Sequence, residues 1–267
     1  MEQPVEIKKP KILLYDLEVS PELFWGYPPR WQTFAIKVEQ RQKLMSFSYK
    51  WLGEKKIYHK NLSQMNTYEV DHQNDKLLSL ELHKVMSEAD VIIGHNSVSF
   101  DDRIANMFFV ANGIEPLPPH KVIDTKRMAK QNFRYGSNKL DDLAEFFGVK
   151  GKSDVKHSDM WYECFVEKNM KMWKLMEKYN NQDVQITEEI YLLMRPFMRN
   201  HPSVSRITGE WDSCPRCGSY NYRVKAYRTT NTSRYCQYFC NDCEGYFNDR
   251  KAMTEKEGDM KPAFVNG

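Results

Sequence analysis

Lys11-Ile12-Leu13-Leu14-Tyr15-Asp16-Leu17-Glu18-Val19 is the stretch on which the reading of this chain turns. The apolar run Ile12 to Tyr15 has the length and composition of a buried β-strand. Asp16 and Glu18 follow two positions apart, so both carboxylates leave the same face of that strand. Two further acids stand in comparable settings: Asp101 closes Asn96-Ser97-Val98-Ser99-Phe100-Asp101, and Asp183 closes Tyr179-Asn180-Asn181-Gln182-Asp183. Each piece follows or lies on an apolar element, where a carboxylate without a counter-charge is expensive. Several acids at core-like positions call for a divalent metal.

Outward from this strand, residues 32–39 and 43–52 read as two more strands. In the second, Met45, Phe47, Tyr49 and Trp51 alternate as the core face against Leu44, Ser46, Ser48 and Lys50. Residues 74–89 have helical spacing, 91–94 form a strand, and a helix opens near Phe100 and runs to about Asn112. Asp124 is expected to cap a short helix, and Ser137 or Asn138 the helix that ends at Phe147-Gly148. A long amphipathic helix covers residues 168–195, stopped by Pro196. On it Met172, Met176, Tyr179, Asp183, Ile186 and Ile190 form one buried stripe. Asp101 shares a stripe with Ile104 and Phe108, and Asp102 one with Ala105 and Phe109, so periodicity does not choose between these two acids. The expected order of three strands, a helix, a strand and then helices is that of an α/β sheet flanked by helices.

Of the 267 residues, 41% are hydrophobic and 13% aromatic, which supports a packed core and excludes a disordered chain. The formal net charge of +3 is too slight to establish a polyanion partner by itself. With no apolar run of membrane-spanning length and no signal-peptide pattern, the chain reads as soluble, intracellular and without a membrane partner.

Five of the six cysteines fall between Cys214 and Cys243. Cys214-Pro-Arg-Cys217 and Cys240-Asn-Asp-Cys243 are two Cys-x-x-Cys knuckles with 22 residues between them. Four thiolates fill a closed tetrahedral site, and so short a module needs a metal staple to fold. It resembles a zinc ribbon holding one structural Zn²⁺. Cys236, four residues before Cys240 on a strand, is about 13 Å away, which favours a buried packing role over ligation, and Cys164 is expected in the core of its helix. Arg223, Lys225, Arg228 and Arg234 lie between the knuckles with no acid among them, interleaved with Tyr220, Tyr222, Tyr227, Tyr235 and Tyr238. Such a surface suits nucleic acid, with Arg223, Lys225, Tyr227 and Arg234 as contacts, although docking to protein accounts for it too. The organisation expected is a domain over residues 1–200, a linker over 201–210, the ribbon over 211–250 and a flexible tail over 251–267.

The three acidic segments resemble the exonuclease motifs of the DEDD superfamily, tyrosine subclass, which includes the proofreading domains of many DNA polymerases. Asp16-x-Glu18 matches the first motif. Asn96 to Asp101 matches the second and selects Asp101 over Asp102. Tyr179-x-x-x-Asp183 matches the third, with Lys178 where the histidine subclass would carry His. The resemblance covers about residues 8–198, and Asn138 to Leu143 fits the helix usual between the second and third motifs. It implies an RNase H-like fold and a metal-dependent 3′→5′ exonuclease that releases nucleoside 5′-monophosphates. It further implies two Mg²⁺ or Mn²⁺ ions, bridged by Asp16. Glu18 and Asp183 would complete the first, and Asp101 the second, partly through water. Tyr179 would aim the attacking water, while Asn96 and Phe100 would contact substrate; the aromatic loop of residues 24–31 would lie beside the site, where it stacks on the terminal base or serves core packing. DNA is the expected substrate ahead of RNA, in replication or repair and beside a protein partner there. The remaining length holds no polymerase, so any proofreading would be in trans. The rivals are an exoribonuclease of the same superfamily and a non-catalytic nucleic-acid-binding protein.

Overall fold

The structure, a computed structural model, describes residues 10–28, 34–150 and 157–253, apart from the side chains of residues 157 and 158. The chain divides into two compact units, one of residues 11–191 and one containing the described residues from Leu192 onward.

The first unit is built on the strand that carries Asp16. β1 (Ile12–Val19) is central in a five-stranded sheet of order β5-β4-β1-β6-β7, with β4 at Leu44–Trp51, β5 at Tyr58–Asn61, β6 at Val91–Gly94 and β7 at Lys121–Asp124. β4 pairs antiparallel and β6 parallel to β1, so the sheet is mixed. Helix α1 (Lys76–Ser87) leads into β6, and α2 (Asp101–Ala111) connects the parallel strands β6 and β7. Leu13, Tyr15, Leu17, Met45 and Phe47 on one face share a core with Leu78 and Leu82 of α1 and Phe108 and Phe109 of α2. Each such side chain contributes roughly 1.5–3 kcal/mol by leaving water. Truncating Phe47 to Ala would cost about 3–5 kcal/mol through the cavity it leaves.

The opposite face of β4 was expected to be its polar side, and that expectation fails. Leu44, Ser46, Ser48 and Lys50 are all buried. Helix α6 (Met170–Met194) covers the last two: Ser48 Oγ donates to Asn181 Oδ1 (2.8 Å), and Lys50 Nζ to Glu188 and to Gln185 Oε1 (3.2 Å). A strand with helices on both faces has no solvent side, so alternation here sorts apolar packing from polar pairing.

Further elements escaped the sequence. β5 is polar, β7 offers only Val122 and Ile123 as an apolar pair, and β2 (Leu23–Trp25) lies inside the aromatic loop. The strand expected at 32–39 is reduced among the described residues to β3 (Lys37–Gln40), paired with β2 in a separate two-stranded sheet. Residues 29–33 lie outside the description. β7 also interrupts what was expected to be an unbroken run of helices after β6. Asp124 caps α3 (Thr125–Asn132) as expected, accepting from the Arg127 amide at 3.1 Å. The N-cap of α4 (Leu140–Phe147) is Lys139, not Ser137 or Asn138, because the Ser137 hydroxyl bonds Asp142 and the Asn138 carbonyl contacts His95. Gly148 ends α4 at φ 71°, a left-handed cap that glycine adopts freely. Cys164 is buried in α5 (His157–Phe165), and desolvation lifts its thiol to about 12.

In the second unit, helix α7 (Val204–Thr208) occupies the expected linker, and its Val204 amide donates to the Pro215 carbonyl at 2.7 Å. Strands β8 (Tyr222–Thr229), β9 (Arg234–Cys240) and β10 (Tyr246–Asn248) form an antiparallel sheet of order β10-β9-β8. Residues 254–267 of the expected tail lie outside the described residues.

Candidate active site and four-cysteine centre

The strand β1 presents Asp16 and Glu18 on the face that α6 covers, opposite Ser48 and Ser46 of β4. A β-bulge follows at once between Glu18 and Val19, where the pairing shifts register. Such irregularities bend a strand and re-aim its side chains beside functional sites.

Asp101 arrives from the other side of the sequence. β6 ends at Gly94, where an added Cβ would meet the Ser97 Cβ at 2.6 Å, so glycine permits the tight exit. Asn96 then takes a left-handed backbone, φ 66°, a conformation its short polar side chain tolerates. Its amide donates to Asp124 Oδ1 at 3.1 Å. This turn starts α2 at Asp101, whose carboxylate accepts from its own amide and from the Leu17 amide, between Asp16 and Glu18. Neighbouring Asp102 goes elsewhere: Tyr15 donates to it at 2.5 Å and Ser97 at 3.4 Å. Burial lifts the Asp101 carboxyl to about 7, against the amide bonds and helped by nearby Asp102 and Asp124. A carboxyl so displaced sits where the protein supplies too little positive charge for it.

The third segment comes from α6. Tyr179 and Asp183 are 8% and 5% exposed, one turn apart. Between them Asn180, fully buried, donates through Nδ2 to Asp16 Oδ2 at 2.6 Å. Asn180 carries no signal in the sequence beyond its place inside the Tyr-x-x-x-Asp segment. Equally unsignalled is a polar chain behind it, in which Asn181, Ser48, His59 and Asn61 join in turn at 2.8, 2.9 and 3.2 Å. Desolvation lowers His59 to about 4, so it is neutral. With Nδ1 protonated it donates to Ser48, whose own proton goes to Asn181.

Leu17 and Asn180 thus tie Asp101 and the α6 segment to the same three residues of β1. Among the described residues, only Cys214, Cys217, Cys240 and Cys243 bring three or more metal-binding groups together with ligand atoms within 4.8 Å of one another. The carboxylates' donor set, four hard oxygens and no nitrogen or sulfur, fits Mg²⁺ or Mn²⁺. Asn96 and Phe100 flank the start of α2, with Phe100 at 45% exposure. Leu23, Phe24, Trp25 and Tyr27 of the aromatic loop are exposed.

In the second unit, Cys214 and Cys243 sulfurs are 3.7 Å apart and those of Cys217 and Cys240 3.6 Å. Hydrogen bonds from Cys214 and Cys217 pull the Cys243 thiol far below its ordinary range, while those two donors are themselves shifted up, so the proton affinity is divided unequally within the cluster. Four clustered thiolate donors fit zinc. Cys236 stands outside the cluster.

A sheet flanked by helices, with three segments converging on its central strand, agrees with the comparison to known families. The model RNase_H_2, for the RNase_H superfamily, matches residues 52–195, more than half of the chain. The chain belongs to the RNase H superfamily. The matched range of this RNase H-superfamily protein includes Asp101, Tyr179 and Asp183, while Asp16 and Glu18 precede it. Among solved structures, the family B DNA polymerase from the hyperthermophilic archaeon Pyrobaculum calidifontis resembles it with a TM-score of 0.52 and 14% identity, over 85% of this chain and 32% of that one. That is a likeness of fold, and this chain spans about a third of the polymerase's length. No curated protein matches the sequence. No helix of the described residues is long and apolar enough to cross a membrane.

Proposed function

We propose that the protein is a metal-dependent 3′→5′ exonuclease that hydrolyses DNA to nucleoside 5′-monophosphates, acting in replication or repair. One observation carries this reading: Leu17 and Asn180 hold two distant acidic segments, those of Asp101 and Asp183, against the Asp16-Glu18 strand β1. Membership of the RNase H superfamily supports nuclease chemistry at that place.

Asp16, Glu18 and Asp183 would hold one Mg²⁺ or Mn²⁺, and Asp16 with Asp101 a second. The chemistry that such ions supply when bound is acidification of water and neutralisation of charge on the leaving oxygen. The chain's own residues supply orientation. Asn180 fixes the Asp16 carboxylate through one oxygen, so its rotamer is set before substrate arrives. Behind it, Ser48 and neutral His59 hold Asn181 and with it the register of this turn of α6. The Tyr179 hydroxyl would aim the attacking water by a hydrogen bond; a phenol is a poor free base near neutrality, so it positions and does not take the proton. Asn96 and the half-exposed ring of Phe100 would receive the terminal nucleotide. In the second unit, the four clustered cysteines would hold one structural Zn²⁺.

The test is digestion of oligonucleotides labelled at either end, with Mg²⁺ or Mn²⁺ present. Stepwise release of nucleoside 5′-monophosphates from the 3′ end is expected, and a phosphorothioate at the last linkage should stall it. Internal cleavage, or no hydrolysis by folded protein, would overturn the proposal. Matched RNA in parallel separates the exoribonuclease: faster RNA digestion would replace the DNA assignment.

A further inference from the structure

The cysteine unit carries a surface that exonuclease chemistry does not use. Its sheet has two unlike faces, and strand pairing assigns residues to them, since directly opposed residues share a face. Tyr222 opposes Cys240, and Phe247 opposes Tyr238. Their rings meet at 5.2–5.3 Å beside the cysteines, so this face is the unit's small core. Arg223 opposes Phe239, which also opposes Tyr246, so these three lie on the other, outer face.

Regular alternation would send Arg228 to the core face, away from Arg223. A bulge prevents this. Val224 opposes Tyr238 and Ala226 opposes Gln237, leaving Lys225 as the extra residue, and alternation restarts one residue out of phase. Arg228 consequently opposes Tyr235, on the face of Arg223 and Phe239. The same shift moves Tyr227 to the core side, opposite Cys236, where the Arg234 guanidinium stacks 3.9 Å from its ring centre. The four nucleic-acid contacts expected from sequence therefore do not share a surface. On the outer face, Arg223 stands 5.6 Å from the Phe239 ring centre, and Phe239 and Tyr246 rings meet at 5.1 Å. Arg223, Lys225 and Arg228 are exposed, and Tyr246 is 46% exposed.

We infer that this outer face binds single-stranded DNA, with Phe239 and Tyr246 as a stacking platform and Arg223, Lys225 and Arg228 along the phosphates. The charge selects the occupant: no Asp or Glu lies between Cys217 and Cys240, so the surface complements a polyanion. The aromatic pair selects an unpaired strand, because only unstacked bases offer their faces to a ring. The choice of DNA rests on the proposed exonuclease function; the platform itself is a separate site.

Fluorescence anisotropy on the full chain tests this, with zinc bound, Mg²⁺ and Mn²⁺ omitted, and labelled dT20, a 20-base-pair duplex and rU20 as probes. The Arg223→Gln/Arg228→Gln double variant should bind dT20 about tenfold more weakly. Its slope of log affinity against log salt should be shallower by about 1.4, or 0.7 for each lost single-strand phosphate contact. Tyr246→Ala, an exposed position, should lose about five- to hundredfold, the range for one stacked base. Arg234→Gln, on the core face, should stay within about twofold. Circular dichroism and zinc content must match wild type in each variant. An unchanged salt slope in the double variant, equal loss from Arg234→Gln, or duplex bound as tightly as dT20 would overturn the site. A preference for rU20 would overturn its assignment to DNA. Retention of a protein partner by this face with unaltered dT20 binding in the variants would replace it with a protein interface. Because no hydrolysis is measured, an inactive carboxylate site leaves this result readable.

Discussion

The two metal-suited sites are built in opposite ways. The carboxylates around β1 sit in a scaffold whose core of Tyr15, Phe47, Leu82, Phe109 and their neighbours is apolar and closes without any ion. The cysteine unit's core is the ligand set itself: Cys214, Cys240 and Cys243 are its buried cluster, with Cys217, Tyr222 and Phe247 packed against them. In the first, folding precedes metal and presents acids that repel one another. In the second, if the four cysteines hold zinc as proposed, metal binding and folding would be the same event. On the proposed function, one site would spend stability to create chemistry, and the other would take its stability from the ion.

The sharpest break of this comparison is zinc removal. Changing Cys214 and Cys217 to Ser, or stripping the ion with a chelator, should release one zinc per chain and unfold the ribbon, a loss on the order of 10 kcal/mol of binding-coupled folding. Residues 11–191 should resist limited proteolysis as before; joint collapse of both units would erase the distinction. Next, Asp183→Ala should reduce hydrolysis at least about a hundredfold, because a dismantled ligand set stabilises the transition state no longer. Its melting temperature should hold or rise. Activity within tenfold of wild type would remove Asp183 from the site.

Lys50→Met probes the scaffold beside the acids. It strands Glu188, 6% exposed, without its cation, and should cost about 3–5 kcal/mol in urea unfolding. A loss below about 1 kcal/mol would mean that α6 relaxes to solvate Glu188.

The pH dependence follows from Asp101. Its carboxyl lies at about 7 in the fold through burial, against an ordinary 3.8. The folded state therefore holds that proton more tightly than the unfolded state. The stabilisation is full below about pH 4 and is lost as pH rises through about 7. In metal-free protein, Asp101→Asn should leave stability near wild type at pH 4 and raise it at pH 8, on the order of 2–4 kcal/mol. Equal stability at pH 8 would show that Asp101 is already compensated. Tyr179→Phe should slow single-turnover hydrolysis by roughly one to three orders of magnitude while binding of the divalent ion persists. A rate equal to wild type would return Tyr179 to the core as a packing residue.

Much of this was legible in the residues. β1 announces itself because the apolar run Ile12 to Tyr15 has the length and composition of a buried strand. The helix stripe through Tyr179 and Asp183 is periodic enough to place both on one side. The two knuckles need no tertiary information, because ligand spacing within each is local. β5 and β7 were illegible: short strands at the sheet's edges owe their conformation to a neighbouring strand and not to their own composition. β4 misled for a related reason. Alternation of apolar and polar residues signals a solvent face only if nothing covers it, and what covers Ser48 and Lys50 arrives more than 130 residues later.

By itself, then, the sequence determined the central strand, the order of the principal helices, and the identities of Asp16, Glu18, Asp101, Tyr179 and Asp183 and of the four paired cysteines as candidates. These rest on local periodicity and on chemistry that a short segment already contains. Tertiary structure alone decided that Asn180 holds Asp16, that the Leu17 amide meets Asp101 while Tyr15 claims Asp102, and that a bulge at Lys225 turns Arg228 outward. The physical reason is common to all three. Which partner a polar group finds, and which face a residue occupies after an irregular pairing, depends on atoms that only the folded chain brings within hydrogen-bonding distance.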